Sequence, residues 1–550
     1  MTPRLTITTI FLLGLLTPLP VGGADWPTFR HDQRRSGVTT QAIESKELGA
    51  AWVHRAPHPP QQAWPAPARW DAYAGLRGLR NMRDYDRCFH VSVADERVYF
   101  GSSADDSVYC LDAATGAVRW SFTTDGPVRV PPTVHGGRVY FGSDDGHAYC
   151  LDAATGELVW KNGPPESARL VLNDGRFISL FPCRSGVLVQ ENTAYFACSM
   201  LPWEKSFLYS VDAATGLADG AGHYRRELDG LTLEGPLLTA GSVLVGPQGR
   251  VPPVLFGRTD GRPAGGFKGG GGSFVCVTPD DRLMVGPGNK TGWITESKLG
   301  DRGRVRQYAS RHAVVVAGSR MLLLGDTRLS AVDRATRKPL WQVTLPLTYE
   351  LIVAADTALV GCDGQVVAVA LSTGKVIGQW SVAGRALGLA VANGRLFVST
   401  DRGAVHCFHS DAPPTPPASR PAGDPAPPAP RDARPPARLA SDRSLVGRWT
   451  FRQSPAGRVG LGGDWAVPRR VRDLVGGVDG NVLGTVAVRR VGAVEALSFD
   501  GQGTSVMIRE DHKTAKLPTT QISAEAWVRV DQPLKWGGIV GALQDNGDYE

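Results

Sequence analysis

The apolar positions of this chain fall into short runs rich in Val, Tyr and Phe, each bounded by Gly or Asp, as in RVYFGS at 97–102 and AYCLD at 148–152. Runs of that length and make-up predict antiparallel strands joined by tight turns. The runs also recur: VYCLDAATGAVRW at 108–120 returns as AYCLDAATGELVW at 148–160. The repeating unit is an apolar strand, a second strand such as RVYFGS, a turn such as DDG, a third strand such as AYCLD, the turn AATG, and a fourth strand ending in Trp. Four hairpin-linked strands in that order predict one blade of a β-propeller.

Further copies of the turn run along the chain: Asp212 to Gly216, then the weaker RTDGRP at 258–263, KLGDRG at 298–303, DRATRK at 333–338 and LSTGK at 371–375. A last unit, GLAVANGRLFVSTDRGAVHCFHSD, ends at Asp411 without its fourth strand. LGAAWVHR at 48–55 has the right length to supply it and carries Trp52. A ring closed by strands from both termini protects the edges that an open array exposes. The count is eight blades, with seven as the alternative because the fourth and fifth units are degenerate.

The turn followed by Trp, in DAATGAVRW, DAATGELVW and DRATRKPLW, resembles the tryptophan-docking repeat of the pyrroloquinoline-quinone (PQQ) propeller superfamily, and DWPTFRHDQRRSG at 25–37 resembles the start of bacterial PQQ-like repeat proteins. The resemblance covers residues 25–411 and implies an all-β fold. That superfamily holds both quinoprotein dehydrogenases and non-catalytic scaffolds such as BamB. Gly116 and Gly156 suit a turn position of positive φ, and Asp112 and Asp152 can accept from turn amides. Trp120, Trp160, Trp341 and Trp380 offer flat surfaces to pack between neighbouring blades.

Outside the repeats the composition changes. Residues 1–24 read as an export signal: one Arg, an apolar stretch from Leu5 to Leu19, then Gly22, Gly23 and Ala24. The apolar stretch is too short for a membrane span of about 20 residues. Residues 412–440 belong to a proline-rich spacer, eleven prolines in the thirty residues from Asp411 to Ala440, which cannot form a packed core. Residues 441–550 alternate strand-like runs with turns, and ALSFDG followed by AEAWVR resembles laminin-G-like, concanavalin-like jelly rolls. The pattern stops at GIVGALQDNGDYE, so the jelly roll is expected to be incomplete.

Charge adds an exclusion. A formal +7 from 60 basic and 53 acidic residues is spread along the chain, with no basic run to form a phosphate footprint, so nucleic-acid binding is not expected. The eight cysteines form no CxxC or adjacent pair. Cys110, Cys150 and Cys407 sit at strand positions and read as small apolar packing residues; a Cys183–Cys198 disulfide stays open.

A calcium-dependent quinoprotein needs six to eight oxygen ligands around its ion, and the sequence concentrates no Asp, Glu and Asn cluster of that kind. No cofactor is expected; PQQ with calcium is the alternative. Aligning the repeats brings Arg87 and His90 level with Arg129, Arg184, Glu234, His312 and Glu350 at the start of the innermost strands. Converging there, such groups can bind a small anion or a peptide, or pair with one another as channel lining. The insertion at 55–87 supplies Trp64, Trp70, Tyr73 and Arg80, which suit either a partner interface or a loop pinned over one face. The glycine run GGFKGGGG at 265–272 lacks the Lys-Ser/Thr of a phosphate loop and reads as a turn. The expectation is an exported binding scaffold with envelope-protein or peptide partners and a carbohydrate- or protein-binding C-terminal module. A periplasmic PQQ-dependent oxidoreductase is the competing reading.

Overall fold

The first complete repeat folds as a meander of Val91–Ala94, Arg97–Ser102, Ser107–Asp112 and Val118–Thr123. Five more four-stranded sheets follow in the computed structural model, spanning 133–162, 187–228, 238–266, 274–309 and 313–344. A seven-stranded sheet completes the set, with Val38–Thr39 lying parallel to Thr348–Ala354 at one edge. In it Thr357–Ala370 pairs with Thr348–Ala354 through residues 357–362 and with Val376–Ala392 through residues 363–369. Arg395–Thr400 and Ala404–His409 come next, and Gly49–Arg55 from the front of the chain lies antiparallel to Ala404–His409 with Trp52 opposite Cys407. The long sheet is therefore two successive meanders, and the second borrows its outer strand from the N-terminal side. The structure describes residues 25–411 apart from 45–47, 65–84, 174–175, 250, 269–270, 273 and 288–291, and five short strands between Arg470 and Met507.

Burial follows position within a sheet. Val91–Ala94 is buried at all four residues, whereas the outer strand Val118–Thr123 is exposed at alternate positions. Inner strands are covered on both faces by neighbouring sheets, and the outer strand turns one face to water. Cys110, Cys150 and Cys407 are fully buried on third strands. Cys183 and Cys198 are free buried thiols.

Adjacent sheets are joined by one repeated contact. The indole Nε1 of Trp120 donates to the Ala153 carbonyl at 3.1 Å, Trp160 to Ala213 at 3.0 Å, Trp341 to Leu371 at 2.8 Å, Trp380 to Leu48 at 3.0 Å and Trp52 to Ala113 at 3.0 Å. The Trp52, Trp120, Trp160 and Trp341 rings cover the turn of the next unit, and a Cβ on Gly156 (φ +76°) would lie 2.7 Å from the Trp120 ring. Gly116 meets Trp52 in the same way. The turns are braced from within: the Asp112 and Asp152 carboxylates each accept from two amides and a threonine hydroxyl. In two of the three sheets without the Trp, Tyr takes its place, whereas the outer strand Pro263–Gly266 carries no aromatic residue. Tyr224 lies over Gly261, and the Tyr308 hydroxyl meets Arg337, which occupies the glycine position of its turn with φ +63°.

Two details differ from expectation. The glycine run does not begin as a turn: Gly265 and Gly266 close the strand Pro263–Gly266. An extra hairpin, Leu170–Asn173 with Arg176–Ser179, stands between the second and third sheets, carrying exposed Leu170, Leu172 and Phe177. No periodic signal marks it.

The chain divides into two compact units, Met1–Ala422 and Gly423–Glu550. In the second, Arg470–Val471, Gly480–Leu483 and Ser505–Met507 form one antiparallel sheet and Val486–Val491 with Val494–Phe499 another. The expected signal segment, the spacer and most of the jelly roll lie outside the described residues.

The docking geometry makes a prediction. Gly156→Ala places a methyl group against the Trp120 ring at a positive-φ position and lowers stability by about 1 kcal/mol or more. Urea unfolding checks it, with Ala154→Gly in the same turn as the comparison; equal midpoints for wild type and Gly156→Ala would refute the docking account.

Candidate functional site

Each sheet presents the edge of its innermost strand to the ring axis, leaving inward amides that need acceptors. The segment 25–39 supplies them. The amide of Val93 donates to Trp26 O at 2.8 Å, Val134 to Pro27 O at 2.7 Å, Thr239 to Gln33 O at 2.9 Å, Val277 to Arg34 O at 2.9 Å, and Val353 to Gly37 O at 2.8 Å. Those five donors lie on five different sheets. The segment is thus a strap across the axis, held by its own side chains as well: Arg35 donates to Leu237 O at 3.0 and 2.7 Å and to Thr28 Oγ1 at 2.8 Å. Arg30 bonds the Glu350 carboxylate and Leu351 O.

The strap is one wall of a chamber of about 70 Å³. Phe29, Arg30 and Arg35 line it from the strap; Arg87, His90, Glu234, His312 and Glu350 line it from the starts of the innermost strands. Five residues that the repeat alignment placed at one height therefore meet around one cavity. Arg129 and Arg184 do not line it. They stand behind Glu234, with Arg184 in a bidentate pair with Asp144, both contacts 2.9 Å, and 3.3 Å from Glu234. Arg129 reaches Asp144 at 2.6 Å and Asp86 at 2.9 Å. These side chains are at most 3% exposed, so Arg129 and Arg184 are internal ion-pair partners and not surface ligand groups.

Asp144, from the SDDG turn, is the hub of this network and went unnoticed in the sequence as a turn residue. Burial pushes its carboxyl up, but Arg129 and Arg184 outweigh that and hold it below the usual carboxylate range. Burial dominates at Asp86 and raises it despite Arg129. The same cause acts on His90, pulled down to about 3 by burial and then by Arg87 and Arg30.

Of the insertion residues, Trp64 packs beside the Ile178–Phe181 cluster, 6.0 Å from the Arg184 guanidinium. Trp70, Tyr73 and Arg80 lie outside the described residues. Arg30, Arg35 and Phe29 of the strap were missed; the only sequence signal was three arginines beside Trp26 and Phe29 ahead of the first strand.

A family model described as outer membrane protein assembly factor BamB matches residues 86–219 and 258–387. The described sheets between Gly49 and His409 have the fold of a PQQ-like β-propeller. Among solved structures, a europium-containing methanol dehydrogenase is 11% identical with a TM-score of 0.50, covering 68% of this chain and 89% of its own. BamB from Moraxella catarrhalis is 12% identical with a TM-score of 0.46, covering 66% and 99%. No curated protein matches. At these identities the likeness is one of fold, and a fold does not fix a function.

The PQQ-like chamber does not suit a tricyclic quinone and its ion. Its 70 Å³ is well below the roughly 300 Å³ or more that a ligand of that size needs. Glu350 and Glu234, the carboxylates on its wall, each bond a guanidinium, Arg30 and Arg184, which opposes a hard cation at the same oxygens. No group of three His, Cys, Asp or Glu side chains among the described residues is arranged to hold a metal. No helix among them is long and apolar enough to cross a membrane.

His90 makes stability pH-dependent. The unfolded chain binds its proton near pH 6.5, whereas the folded imidazole resists it until about pH 3. Stability is whole above pH 6.5 and falls as pH drops below it, by up to about 1.4 kcal/mol per pH unit for each such histidine. His406, lowered to about 4 by burial and Arg55, adds to the slope. Urea midpoints at pH 7, 6 and 5 should fall, and His90→Gln should flatten the fall; an unchanged slope in that variant would contradict the burial of a neutral His90.

Proposed function

We propose that the protein is an exported, non-catalytic β-propeller scaffold, an eight-bladed ring that binds envelope proteins or peptides, with the C-terminal unit as an appended laminin-G-like ligand-binding module. The eight count takes the six separate sheets and the two meanders of the long sheet as blades. The observation that carries the reading is the state of the axis: the strap crosses it, and the wall carboxylates are each bonded by arginine. Such an axis supports a rigid ring more than a seat for a redox cofactor. Export is supported by the Arg, apolar stretch and small residues of 1–24. The likeness to the BamB family model is consistent with protein partners.

The alternative, a PQQ-dependent oxidoreductase, is separated by reconstitution. The full chain is incubated with PQQ and calcium, desalted, and assayed for bound quinone absorbance and for dye reduction with alcohols and sugars. The scaffold reading predicts no retained quinone and no turnover. One equivalent of retained quinone with substrate-dependent dye reduction would overturn it.

A further inference from the structure

We propose that the axial chamber is a binding site for a small oxyanion, the size of inorganic phosphate or a one- to two-carbon carboxylate. Arg35 carries the argument. Arg35 lines the chamber and is 3% exposed, yet every acceptor its guanidinium meets is neutral: Leu237 O, Thr28 Oγ1, Phe29 O and Asp32 O. A buried charge without a paired counter-charge is disfavoured unless another group compensates it. The acid nearest in sequence, Asp32, turns its carboxylate onto the Arg34 and Ser36 amides and the Ser36 hydroxyl, and forms no ion pair with Arg35.

The other wall groups add to the same field. Glu350 is taken by Arg30 and Glu234 by Arg184, so neither carboxylate is paired with Arg35. Arg87 and Arg30 both disfavour a proton on His90, which marks the imidazole's surroundings as positive. His312, whose ring nitrogens face Thr348 Oγ1 at 3.4 Å and Asp326 at 3.6 Å, brings a second imidazole to the wall. A cavity of about 70 Å³ holds a few waters. That volume admits a tetrahedral oxyanion or a short carboxylate and excludes a sugar ring. The inference rests on the chamber and does not depend on the scaffold reading.

Isothermal titration of the full 550-residue chain tests it, with inorganic phosphate and, separately, acetate as probes. Ionic strength is held constant with a bulky sulfonate anion too large for the cavity. A saturating isotherm of one anion per chain is expected for at least one probe, and the probe that saturates distinguishes phosphate from carboxylate. Arg87→Gln should weaken binding at least about tenfold, as loss of a charge-assisted hydrogen bond does, and Arg87→Lys should restore most of it. Leu387 also lines the chamber, and Leu387→Phe, which fills it without altering a charge, should abolish binding and keeps the test decisive if Arg87→Gln fails to fold. No saturation with either probe, or equal binding by Leu387→Phe, would overturn the proposal.

Discussion

The inward edge of every innermost strand poses the same problem: backbone amides face the ring axis, where no neighbouring strand can accept from them. Here the chain answers with its own N-terminal segment. Five carbonyls between Trp26 and Gly37 take amides from five sheets, so a single stretch connects blades that lie up to 316 positions further along the chain, from Gly37 to Val353. The rest of the axial architecture depends on that crossing. It positions Arg30 over Glu350 and buries Arg35 against Leu237, and it sets the chamber to a size for small ions.

A second constraint acts at the rim. Trp52, Trp120, Trp160 and Trp341 each reach forward to the turn of the following unit, donating through Nε1 and covering a glycine that must stay bare. Hub and rim thus hold different parts of each blade, the strap at the inner strand and the indole at the outer. Together with Gly49–Arg55 lying on Ala404–His409, they link the beginning of the propeller to its end.

The repeat was legible because its grammar is local: strand, turn and Trp sit within thirteen residues, and the turn carries its own braces in Asp112 and Thr115. The closing strand was legible for a similar reason, since a unit ending at Asp411 lacked a strand of known length. The degenerate units were harder, because Tyr224 and Tyr308 stand for Trp and Arg337 for Gly, and each substitution preserves the contact while erasing the letter. The height alignment brought Arg87, His90, Glu234, His312 and Glu350 to one cavity. It missed the strap and Asp144, whose roles are set by partners 15 to more than 300 positions away. Such contacts have no period to read.

The most direct test is amide hydrogen exchange at Val93, Val134, Thr239, Val277 and Val353, whose protons point at strap carbonyls. In the intact chain these five amides should exchange slowly, at rates like those of amides within the inner strands. In a chain lacking residues 25–39 they should exchange fast together, while the Trp-bearing outer strands keep their protection. Undiminished protection of all five in the truncated protein would show that something other than the strap closes the axis.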